Sequence, residues 1–153
     1  MQDLDNNELL SPPIIAAAGW LVPGLGYWII GERGRAMLAG ISIGLLFMLG
    51  VLISGVRCID VPSFDAKGQL VRSKGKPQIF DSPFKAVLEK PWYIPQILAG
   101  PLTIATSVWS VKVSDTYPKA TARMYDIGTL YTAIAGMLNL LVIIDSAYRG
   151  AKK

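Results

Sequence analysis

Charged side chains are missing from Leu9–Gly31, Ala36–Val56, Pro91–Val111 and Ile127–Ile144, and each stretch is long enough to cross a ~30 Å hydrocarbon layer as a helix. An uncharged run of that length has no polar face, so it is ill suited to be the amphipathic helix of a water-soluble bundle. The pattern predicts an all-α fold: a polytopic transmembrane bundle of about four helices, near residues 12–31, 36–56, 91–111 and 126–148. These form one integral-membrane domain over residues 1–153, with an extramembrane loop at 57–90.

Only 17% of the side chains are charged, and they sit between the apolar runs, whereas a soluble domain spreads its charges. A very apolar soluble bundle is the alternative. The net charge of +4 would hint at nucleic acid in a soluble protein. Here it belongs to connecting segments, where it sets orientation and meets anionic headgroups, so membrane lipid is the expected partner and nucleic acid is not. There is no histidine and Cys58 is the single cysteine, which removes disulfide scaffolds, CxxC redox pairs, imidazole catalysis and the usual zinc or haem ligation. No metal or other cofactor is expected. Cys58 reads as a small interfacial residue, with reversible acylation as the alternative. The N-terminus, Met1 to Glu8, is acidic where a secretory leader is basic, so the first apolar run is expected to stay in the mature chain.

Ser11-Pro12-Pro13 suits a helix start, since a proline's missing N–H costs little in the first turn. Pro23-Gly24-Leu25-Gly26 predicts a bend or break inside the first run. Gly31-Glu32-Arg33-Gly34-Arg35 is a short polar turn that sends the second helix back antiparallel to the first. The third run contains Pro95, Gln96, Gly100 and Pro101; a full crossing is expected, with a kinked or re-entrant segment as the alternative. In the central loop, Gln69–Arg72 pairs with Gln78–Phe80 as a small hairpin, and Ser82–Lys90 forms one or two helical turns on the membrane surface. Lys112–Asp126 is a polar connection, and Asp145 with Arg149, one turn apart, is placed to pair.

Small residues recur at four-residue spacing as Ala36/Gly40/Gly44, Ala99/Thr103/Ser107 and Gly128/Thr132/Gly136. Such faces let backbones approach closely where lipid supplies no hydrophobic drive for association. Intramolecular packing is the expected use, with a self-association face as the alternative. Asn139 is the candidate intramembrane polar site; an interhelical hydrogen bond is expected, and a substrate or ion pathway needs companions. Gly24-x-Gly26 with Gly31 lacks the preceding strand and the Gly-Lys-Ser/Thr of a phosphate loop. Intramembrane polar groups and repeats are fewer than secondary transport favours. No catalytic constellation emerges.

With four crossings, the termini and the central loop share one side with ten of the fifteen basic residues, leaving Arg33, Arg35, Lys112, Lys119 and Arg123 on the other. The positive-inside tendency then puts both termini and the loop in the cytoplasm. The segment Pro23–Arg35, with Pro23, Gly24, Gly26, Gly31 and Gly34, resembles the glycine-rich first hairpin of TM2-type proteins. Tyr125–Asp145 is similar to the final helix of an uncharacterised family of bacterial multi-pass membrane proteins. The chain departs from the TM2 pattern in its long insertion before the last helix and in lacking histidine. The resemblance implies residence in a bacterial cytoplasmic membrane. The leading expectation is a non-enzymatic membrane protein acting through protein–protein, self-association or protein–lipid contacts; a small transporter or channel subunit is the alternative.

Overall fold

Pro23 breaks the first apolar run, and the break is a reversal. The computed structural model describes residues 11–55, 58–59, 72–73, 76–77, 91–113 and 122–152. Helix α1 (Pro12–Leu21) begins with two prolines in its first turn, and the Ser11 carbonyl, not its hydroxyl, accepts the N–H groups of Ile14 and Ile15. At Gly24 the backbone turns through φ +88°, a conformation that needs no Cβ, and α2 (Leu25–Ile29) runs back along α1. The return is fixed by Gly26: an added Cβ would lie 3.2 Å from the Ile15 carbonyl oxygen and would meet Ser146 Oγ.

Two long helices frame the molecule. Helix α3 (Arg33–Ser54) and the last helix, Ala122–Gly150, pack antiparallel, with Gly50 against Gly128 and Thr132 at one end and Glu32 3.7 Å from Arg149 at the other. At ~1.5 Å per residue these two are long enough, and apolar enough, to cross a membrane. We call the end holding Ser11, Glu32 and Gly150 the terminal end and the other the loop end. A two-residue antiparallel ladder, β1 (Arg72–Ser73) with β2 (Lys76–Pro77), pairs Arg72 with Pro77 and Ser73 with Lys76. It lies within the segment expected to form a hairpin; Gln69–Val71, Gln78–Phe80 and Ser82–Lys90 fall outside the described residues.

The third apolar run is a second hairpin. Helix α4 (Tyr93–Ile97) climbs from the loop end, the chain turns at Gly100 with φ +78°, and α5 (Pro101–Val113) returns to the loop end. Thr103 donates to the Gln96 carbonyl and Ser107 bonds Tyr93, which pins α5 back on α4. We label the last helix α6.

Among the described residues two helices, α3 and α6, are long and apolar enough to cross a membrane instead of the expected four, because residues 12–31 and 91–111 each fold as a half-depth hairpin. The bend or break expected in the first run is there, but as a full reversal, and the third run takes the re-entrant alternative instead of the expected crossing. Consequently the Glu32–Arg35 turn shares an end with Ser11 and Gly150, and Ser54 and Tyr93, on either side of the central loop, lie at the opposite end. The chain also carries one arrangement twice, a hairpin turned by a positive-φ glycine and followed by a long helix, in inverted orientation. No repeat was legible in the sequence because the arms differ in length and share no residue pattern.

Candidate functional site

The tips of the two hairpins meet in the middle of the bundle. A Cβ on Gly100 would collide with the Trp20 carbonyl oxygen, and the Trp20 indole N–H donates to the Ile97 carbonyl at 3.2 Å. A helix that ends inside a bundle leaves its last carbonyls without partners in the helix. Side chains satisfy them. Asn139 donates through Nδ2 to the Gly19 carbonyl (3.3 Å) and the Leu98 carbonyl (2.9 Å), joining the C-terminal ends of α1 and α4 to α6.

Below this junction lies a second polar layer. Gln96 is fully buried and donates to Thr132 Oγ1 at 2.7 Å and to the Cys58 carbonyl at 3.1 Å. Thr129 donates to the same Cys58 carbonyl at 2.8 Å. As the lone polar amide in the Pro95–Pro101 stretch, Gln96 carries a sequence signal for this role that the spacing of small residues does not.

Of the small-residue faces, Ala36 is buried beside Gly24, Gly40 faces the Pro23 carbonyl and Gly44 has nothing within 4 Å of an added Cβ. Ala99, Thr103 and Ser107 are buried on the α4–α5 hairpin, and Ala99 and Thr103 sit either side of its turn. Gly128 packs on Ser54 and Gly50, Thr132 bonds Gln96, and Gly136 packs on the Pro95 carbonyl. Of the glycine-rich segment, Pro23 and Gly24 make the hairpin tip and Gly26 its contact with α6; Gly31 and Gly34 have open space around them. Gly50 and Gly100, both at close contacts, were not singled out by spacing.

At the terminal end Tyr27 donates to Asp145 Oδ2 at 2.6 Å, and Arg149 Nε lies 2.7 Å from the same oxygen. The expected Asp145–Arg149 pair is thus extended to Tyr27 and, through Arg149, to Glu32. Arg33 sits over the Trp28 ring at 5.7 Å and Lys152 over Tyr148 at 4.3 Å, contacts of partly exposed groups that hold loosely. Burial pushes the Cys58 thiol above its ordinary pKa, with a Ser54 hydrogen bond opposing. Among the described residues no three His, Cys, Asp or Glu side chains gather as metal ligands.

Hydrogen-bonded amides and hydroxyls at a hairpin junction suit holding and orienting, and they offer no nucleophile with a base beside it. The fold and junction define a class: a helical protein with two potential membrane-crossing helices and two opposed half-depth hairpins. The chain belongs to a family of unknown function, DUF6677, whose match covers residues 14–153. No curated protein and no solved structure matches it.

Proposed function

We propose that the chain is a non-enzymatic integral membrane protein acting through contacts with lipid, other membrane proteins or a second copy of itself. The observation that carries this is an inversion of polarity. Of the ten largest fully buried side chains among the described residues, Gln96, Asn139, Thr103, Thr132, Ser110 and Ser146 are polar. The outer faces carry Leu38 (73% exposed), Ile41, Leu45, Leu52 (72%) and Leu141. A soluble protein buries such side chains, and exposed apolar area on this scale is stable in hydrocarbon. Resemblance to TM2-type and bacterial multi-pass proteins supports a bacterial cytoplasmic membrane. Washing membranes with alkaline carbonate is expected to leave the protein in the pellet; release into the supernatant sinks the membrane reading. Mild extraction is expected to co-recover lipid or a partner, and a lipid-free monodisperse monomer counts against contact-based action.

The two long helices support an orientation. Ten of the fifteen Lys and Arg residues belong to residues 57–123 and five to the terminal end, Arg33, Arg35, Arg149, Lys152 and Lys153. The positive-inside tendency then favours a cytoplasmic central loop with both termini on the far side.

A second reading, a small transporter or channel subunit, is favoured by the opposed hairpins, because discontinuous helices meeting at mid-depth in an inverted repeat are how many transporters build their sites. Unchanged ion and solute permeability of loaded liposomes across a broad panel would weigh against it.

A further inference from the structure

Helix α5 has two faces of opposite chemistry. Leu102, Val108 and Trp109 are exposed, whereas Thr103, Ser107 and Ser110 are buried along one side. The buried side runs from the loop end to the hairpin junction. Ser107 donates to the Thr103 carbonyl at 2.7 Å, Thr103 to the Gln96 carbonyl, and Gln96 to Thr132, about two helical turns from Asn139.

Buried hydroxyls and amides commonly serve as glue between membrane helices, but glue uses its donors and acceptors. Here the two ends of the series keep an atom free: Ser110 Oγ and Asn139 Oδ1 are buried with no hydrogen-bond partner among the described residues. A third such atom, Glu32 Oε2, lies at the terminal end, 3.4 Å from Arg35 Nε, outside the series. An unmade buried hydrogen bond is costly, and a water molecule with two to four polar neighbours removes that cost.

We propose that the polar seam between α4, α5 and α6 binds water, entering from the loop end beside Ser110 and stopping at Asn139 under the joined hairpin tips. Among its described side chains none is a carboxylate or a cation, so the seam suits water rather than an ion. This inference rests on the membrane reading above and deepens its second form.

The test uses the full chain in liposomes with Cys58→Ala as background. Ser107→Cys and Ser110→Cys are expected to react with a small hydrophilic methanethiosulfonate at least about tenfold faster than Val108→Cys on the opposite face, because the reagent and the reactive thiolate need water, which a lipid-facing position lacks. If Val108→Cys reacts as fast as they do, α5 is not in lipid and the membrane reading falls. If all three are equally silent, the membrane reading stands and the seam is dry, which overturns the proposal. Without any cysteine variant, NMR transfer from water to the Thr103 and Thr132 methyls is expected in the native chain, and its absence also overturns the proposal.

Discussion

The Trp20 indole N–H reaches across the bundle to the Ile97 carbonyl, 3.2 Å away and seventy-seven residues later, and ties the tips of two hairpins that enter from opposite ends. Trp20→Phe keeps an aromatic ring at the junction, though a smaller one, and removes the donor. It is expected to lower stability by about 0.5–1.5 kcal/mol, the net worth of one hydrogen bond. Denaturant titration in detergent micelles measures this; an unchanged midpoint would show that the tips are held by packing alone.

Asn139 supplies two donors to two helix ends, so the chemistry of its amide matters more than its shape. Asn139→Asp is nearly isosteric but leaves the Gly19 and Leu98 carbonyls without Nδ2. The same titration is expected to show a loss of about 1–3 kcal/mol, the cost of stranding buried polar groups. A variant as stable as the parent would remove Asn139 from the junction.

Glycines of similar sequence context are expected to differ. Gly100→Ala places a methyl against the Trp20 carbonyl at φ +78°, and a loss of at least about 1–3 kcal/mol follows from strain alone. Gly44→Ala meets nothing within 4 Å in an ordinary helical conformation and is expected to be neutral or stabilising by up to about 1 kcal/mol. Equal effects at the two sites would contradict the re-entrant turn.

The two ends of the bundle are expected to face different compartments. In intact cells, an impermeant maleimide should label Lys152→Cys, whereas Ser73→Cys should label only after permeabilisation, both in a Cys58→Ala background. Labelling of both under one condition would restore a shared side for termini and loop.

Native Cys58 is fully buried with a raised thiol pKa, so it stays protonated at a pH where an exposed thiol has begun to ionise. Alkylation in the folded protein is expected to be slow at neutral pH, to speed up only at higher pH than for a free thiol, and to become rapid on denaturation. Prompt labelling at neutral pH would show that the Gln96–Cys58 region opens.

How much was legible depended on whether the cue was local. Uncharged length marked α3 and α6, and Pro23-Gly24 and Gly100-Pro101 marked the breaks, because a missing N–H and a missing Cβ act where they stand. The direction taken after each break was not local. It is decided by Gly26 finding Ile15 and by Thr103 finding Gln96. Orientation depends on these reversals, since each one swaps the side expected for every charge beyond it. Asn139 stood out as an amide in an apolar helix, but its two carbonyl partners are 120 and 41 residues away.

The α1–α2 hairpin rests on a helix far downstream in the chain, α6. Ile15 lies against Gly150, Gly19 against Ile143, and Gly26 against Ser146. Until α6 emerges, α1 and α2 have α3 beside them but lack the helix that seats them, and closing so long a chain segment carries an entropic cost before any contact rewards it. The α1–α2 hairpin is therefore expected to settle only once α6 is in place, and truncation before Asn139 is expected to leave it without its seat.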